Sequence, residues 1–215
     1  MKITLIIRNV IILAAVSGLI TACASKNYKR SSHAATTLTT SANMVTRCNI
    51  LIDQSLGDLT DLVSNPNPDL RGPFHKFSTD VDELRGLADD LAKKATEMRT
   101  QGADYFAQWD KDLAQIQNED IRNRSEARKS EVASRFYTIS QHYDEANTTF
   151  RPFLSDLRDV HTALSTDLTV GGLGAIKDTA TKANQDAIPV KESLAKLSEE
   201  FRSLGLSMSP VDNSR

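Results

Sequence analysis

The stretch VASRFYTISQHYDEANTTFRPFLSDLRDVHTAL, residues 132–164, decides the fold. Val132, Phe136, Ile139, Tyr143, Ala146, Phe150, Phe153, Leu157, Val160 and Leu164 recur at alternating spacings of four and three. Side chains at those intervals share one face of an α-helix and no face of a strand, whose side chains alternate with period two. Ten positions in strict alternation exceed what one ordinary helix needs and predict coiled-coil packing against other helices. Pro152 falls inside the repeat, which keeps its phase on both sides, so it is expected to kink the helix without ending it.

Working outward, the same signature recurs three times. Towards the C-terminus, Leu173, Ile176, Ala180, Ala183, Ala187, Val190, Leu194, Leu197, Phe201 and Leu204 form a second strict stripe, with Pro189 inside it. Towards the N-terminus, Phe77, Val81, Leu84, Ala88, Leu91, Ala95, Met98, Gly102, Tyr105 and Trp109 form a third, which slips to Leu113 and Ile116. A slip from three to four is the mark of a local change in supercoil. Leu38, Ala42, Val45, Asn49, Ile52, Leu56, Leu59 and Val63 make a fourth and shorter stripe.

Punctuation separates the stripes. Asn65-Pro66-Asn67-Pro68 cannot continue a helix, and Pro73 suits the first turn of the next. Gln117 to Arg124 is a polar interval expected to turn, with Ser125 as the N-cap beyond it. Gly171-Gly172-Leu173-Gly174 marks the last reversal. The two central stripes are each roughly 55–60 Å long at 1.5 Å per residue, and matched lengths favour an antiparallel hairpin. In that hairpin Trp109 should lie near Val132 or Phe136. The expected fold is therefore all-α, an elongated antiparallel helical bundle with coiled-coil-type heptad packing over residues 38–206. Its helices should span about 38–64, 73–117, 125–169 and 173–205, three long ones and a shorter N-terminal one, with 207–215 a disordered tail.

The first residues carry an address. Lys2 and Arg8 flank a short apolar run that ends at Ile20-Thr21-Ala22-Cys23. A basic region, an apolar core too short to span a bilayer and small residues before a cysteine make a bacterial lipoprotein signal. Residues 1–22 are then removed and Cys23 takes a diacylglyceryl group. The alternative is an uncleaved N-terminal anchor or an ordinary signal peptide with an incidental cysteine. Residues 23–37, rich in Ser, Thr, Ala and Lys, are expected to be a lipidated tether. No aspartate follows Cys23, which favours the periplasmic leaflet of the outer membrane over the inner membrane.

Losing residues 1–22 removes Lys2 and Arg8 but no acid, so 24 basic and 28 acidic residues remain, a formal charge of −4. That balance excludes a nucleic-acid footprint. Aromatic residues are only 6% of the chain, which suits long amphipathic helices better than a compact sandwich. Beyond Cys23 the sole cysteine is Cys48, so no intramolecular disulfide can form in the mature chain. Cys48 is either a buried thiol or half of an intermolecular disulfide.

Three segments carry a resemblance. They are Phe106-Ala107-Gln108-Trp109-Asp110-Lys111-Asp112-Leu113, Ser125-Glu126-Ala127-Arg128 and Pro152-Phe153-Leu154-Ser155-Asp156-Leu157-Arg158-Asp159. Together they resemble a family of bacterial lipoproteins known only as a domain of unknown function, over about Phe74 to Leu204. The resemblance implies a helical lipoprotein and carries over no catalytic or ligand-binding residue.

Chemistry-bearing motifs are few. His33, His75, His142 and His161 stand in separate segments with no second histidine at helical spacing, so no zinc site lies within one helix. Neither His142 nor His161 completes a Glu-x-x-His pair of a di-iron bundle. The glycines at 171–174 lack the preceding strand of a dinucleotide fold. Asp89-Asp90, Glu199-Glu200 and Asp156 with Asp159 suit solvated helix faces. Trp109 with Tyr105 and Phe106 is the densest aromatic cluster, a core anchor or a partner-facing patch. The expectation is a non-enzymatic envelope scaffold, spacer or adaptor, without cofactor or metal, held to the membrane at Cys23 and open to a protein partner through its helix faces. The second reading is a binding module for an apolar ligand, or an accessory subunit of a transport complex, with Ala180, Ala183 and Ala187 as its under-filled seam.

Overall fold

A computed structural model describes residues 2–64 and 69–209, with side chains from Tyr28 onward. Four helices follow in order: α1 Lys2–Ser64, α2 Arg71–Leu113, α3 Glu119–Thr166 and α4 Val170–Met208. Each packs against its two neighbours in a ring, α1 on α2, α2 on α3, α3 on α4 and α4 back on α1, while the backbones of the diagonal pairs α1/α3 and α2/α4 stay apart across the core. Short connections make consecutive helices antiparallel, and the α1/α4 pair is antiparallel too, since Ala42 meets Ser198 and Asn49 meets Lys191. The fold is an all-α bundle, as the heptads require.

The core is a single cluster lying along the stripes. All ten stripe residues of α4 are buried, and on α3 every one is except the half-buried Phe136. Phe77, Phe153, Phe201, Leu84, Leu157 and Leu197 are among its largest fully buried side chains. Burying each such side chain stabilises the bundle by roughly 1.5–3 kcal/mol, so the shared seam outweighs any surface ion pair. α3 and α4 run through Pro152 and Pro189 without ending.

The N-terminal region departs most from expectation. α1 is the longest element, 63 residues, and residues 23–37, expected as a tether, are helical. Ala35, Thr37 and Leu38 are buried. The small residues read as tether are packing residues: Gly205 of α4 lies so close that an added Cβ would stand 3.2 Å from the Ala35 carbonyl oxygen and 3.3 Å from Leu38 Cβ. Ser198 donates to the Ala42 carbonyl oxygen at 3.0 Å and lies 2.8 Å from the Thr46 hydroxyl, a polar link that only a short interaxial distance allows. Thr36, Thr39 and Thr46 donate to carbonyls one turn back, at 2.9, 3.0 and 3.0 Å, which satisfies their hydroxyls inside the helix.

The turns also move. α2 ends at Leu113 and α3 begins at Glu119, because Asn118 caps it, its side chain accepting from the Ile121 amide at 3.1 Å. Ser125 is therefore inside α3 and not its N-cap. Glu119 and Asp120 fall in the first turn, where carboxylates favour the positive end of the helix dipole. The polar interval is the exposed start of a helix rather than a turn. At the last reversal Thr169 is the N-cap, accepting from the Gly172 amide at 3.2 Å, so the glycines open α4 instead of preceding it. At the far end α4 reaches Met208, whose side chain is buried; the tail beyond 209 lies outside the described residues.

Candidate functional site

The residues with chemical potential are dispersed over the bundle. His33 and His75 are exposed, and His161 stacks on Phe74 with ring centroids 5.6 Å apart. His142 faces α4, its Nδ1 2.7 Å from Glu200 Oε2 and its Nε2 3.4 Å from Lys196 Nζ. No serine, threonine or cysteine is hydrogen-bonded to that ring among the described residues. Among them also, no three His, Cys, Asp or Glu side chains converge as metal ligands.

In two of the acidic pairs one member finds a lysine partner. Asp90 binds Lys93 at 2.9 Å, and Asp156 and Asp186 share Lys182 at 2.6 and 2.8 Å, holding its ammonium above the usual lysine range. One acidic pair was hidden from sequence reading because its members lie on different helices. Asp80 of α2 meets Asp58 of α1, and its pKa rises through burial, then through repulsion from Asp58 and Glu83. Arg47, bound to Glu83 at 2.7 Å, offsets part of that repulsion. Cys48 is fully buried, and desolvation pushes its thiol up to about 12, as a buried core thiol requires.

One surface groove is built on the aromatic cluster. Trp109 stacks edge-on against Tyr105 at 5.5 Å, Tyr105 against Phe106 at 5.6 Å, and Phe106 against Phe136 at 5.8 Å. The Phe136 ring lies on Gly102, where an added Cβ would stand 2.4 Å from its Cζ. The indole N–H of Trp109 donates to the Ser125 hydroxyl at 3.2 Å. That contact confirms the α2/α3 hairpin but replaces the expected partners: Trp109 meets Ser125, and Phe136 sits deeper, opposite Gly102 and Phe106. The shift follows from the earlier turn at 114–118. Half-buried, Trp109 and Tyr105 wall a groove of about 390 Å³ completed by Tyr28, Arg30, Ser31, Gln108 and Asp112. It lies at the end of the bundle where α1 enters.

A second groove, of about 590 Å³, runs between α1 and α4 past Gly57, Ala187 and Ile188, with Asp53, Asp61, Lys191 and Glu192 on its walls. Ala180, Ala183 and Ala187 themselves are buried. Where all four helices meet, the void between Leu38, Gly102, Phe136 and Met208 holds about 10 Å³. That is barely one water, so the end of the core is filled. Cys23 lies on α1, and its side chain is outside the described residues.

Against this geometry, residues 26–202 match the model of a family described as a protein of unknown function, DUF2959. The chain belongs to the DUF2959 family. The match spans the stripes as far as Phe201 and reaches further N-terminally than the resemblance from Phe74 onward, so the DUF2959 unit includes α1 from three residues beyond Cys23. No curated protein sequence and no solved structure matches the chain. No helix of the described residues is long and apolar enough to cross a membrane.

Proposed function

We propose that this DUF2959 chain is a bacterial envelope lipoprotein, anchored through Cys23, that serves as a non-enzymatic scaffold or spacer. The observation that carries the reading is the junction at Cys23. A lipoprotein signal ends there, and the family unit begins at residue 26, on the same helix that builds the core. Nothing extends between anchor and bundle except a few residues of α1. Two or more acyl chains, at about 0.8 kcal/mol per buried methylene, hold such a protein on a membrane permanently. α2 and α3, with 43 and 48 residues, give the rod a length on the order of 65–70 Å at 1.5 Å per residue. A rod of that reach, packed through its centre, suits spacing and contact. The absence of an aspartate after Cys23 supports the outer membrane as its site.

The second reading, an accessory subunit of an envelope transport complex, draws on the α1/α4 groove beside Ala187. Its walls carry charges, which fits a partner's helix better than an apolar small ligand. Replacing Cys23 with Ser tests the main reading: the variant should lose the diacylglyceryl mass and leave the membrane fraction, or remain unprocessed. A wild-type mature N-terminus without acyl mass would overturn it.

A further inference from the structure

We infer that the end of the bundle where α1 enters rests on the bilayer surface, with the Tyr28–Trp109 groove at head-group depth. This deepens the reading of Cys23 as the lipidated residue and depends on it. α1 is continuous, so Cys23 and Tyr28 are separated by one and a half turns, about 7.5 Å of rise. Even fully extended, five residues reach no more than about 18 Å. The head-group layer on each side of a bilayer is roughly 5–8 Å thick, the difference between total and hydrocarbon thickness shared by two leaflets. An anchor joined so closely cannot hold this end of the bundle far from lipid.

What the end presents suits that layer. Trp109 and Tyr105 are half-buried, and Tyr28 is 52% exposed beside them. Tyrosine and tryptophan, apolar in body with one polar atom, concentrate at membrane interfaces. Trp109 binds Ser125 of α3, and Arg128 of α3 donates to the Ser207 carbonyl oxygen of α4 at 3.0 Å, so the end of α2, the start of α3 and the end of α4 meet at this tip beside Tyr28 of α1. Ile121, 56% exposed in the first turns of α3, and Leu206, 71% exposed on the last turn of α4, belong to the same end. Exposed Lys29 next to Tyr28 adds attraction to anionic head groups. Four ring-packed helices joined at the tip make the anchorage stiff, and the rod stands away from the membrane instead of trailing from a flexible tether.

Trp109 is the sole tryptophan of the chain and reports on this directly. The purified, lipidated full-length protein is reconstituted into phosphatidylethanolamine–phosphatidylglycerol vesicles, with or without bromine near the head-group end of the acyl chains. Flotation and intact mass establish anchoring independently of fluorescence. Docking predicts that brominated vesicles dim the emission of floated protein, more so in an Ile121→Trp variant, whose added indole occupies an exposed site. Floated protein whose emission is unchanged by bromine at both positions overturns the docking while leaving the lipid anchor standing, and the groove then faces a protein partner. Protein that lacks acyl mass and does not float overturns the anchor and the docking with it.

Discussion

At the scale of single residues, the glycines of α2 separate two demands that look alike in sequence. Gly102 and Gly86 both interrupt a helix, where glycine costs about 1 kcal/mol relative to alanine. An added Cβ on Gly102 would collide with the Phe136 ring at 2.4 Å, whereas nothing lies within 4 Å of one on Gly86. Gly86→Ala should therefore stabilise the bundle by up to about 1 kcal/mol. Gly102→Ala should destabilise it by about 1–3 kcal/mol, the usual cost of overpacking. Urea unfolding of both variants decides the matter, and equal shifts would show that Phe136 moves freely. Cys48 makes a second residue-scale test. Its thiol, raised from 9.0 to about 12 by burial, stays protonated in the fold, so folded protein should resist a thiol reagent at pH 8 and react fully in denaturant. Because the folded value is the higher, its favourable effect on stability is complete below pH 9 and is lost as pH rises from 9.0 towards 12.

At the scale of elements, helix starts depend on individual caps and close approaches. Of the glycines at the α3–α4 reversal, only Gly172 is sterically required: a Cβ there would stand 2.0 Å from the Asp167 carbonyl oxygen, a backbone atom that cannot swing aside. At Gly174 nothing lies within 4 Å. Gly172→Ala should cost at least as much as a lost cap, about 1–2 kcal/mol, while Gly174→Ala should be neutral or stabilising. Asn118→Ala removes the cap of α3 and should cost about 0.5–2 kcal/mol with the Trp109 emission spectrum unchanged. Ser125→Ala should instead alter that spectrum, since Ser125 accepts from the indole at 3.2 Å. Thermal melts followed by tryptophan fluorescence read both effects. An Asn118→Ala melt identical to wild type would show that α3 starts without its cap.

At the scale of the whole molecule, one continuous core makes the bundle cooperative, and a single seam substitution should undo all of it. Leu157 is fully buried towards the C-terminal end of α3, and Leu157→Asp places a carboxylate there at a cost of several kcal/mol against a typical total of 5–15 kcal/mol. That variant should unfold by circular dichroism and fail to complement a deletion strain. Ala substitutions at His75, His142, His161, Asp156 or Asp159 should leave both intact. A folded, correctly localised histidine or aspartate variant that is nevertheless null would sink the scaffold reading and reveal a discrete site. By itself the sequence determined the four stripes, the order of the helices and nearly every buried side chain of α3 and α4. Heptad spacing is a local property, and burial follows from it wherever large apolar residues recur. Only tertiary structure decided that Ala35 and Thr37 belong to the core, because small residues are buried when a partner helix such as α4 comes near, and nearness is not written in spacing. For the same reason the pairing of Trp109 with Ser125, of Phe136 with Gly102 and of Asp58 with Asp80 emerged from the fold: each joins residues of two helices whose register was set by packing and by the turn capped at Asn118.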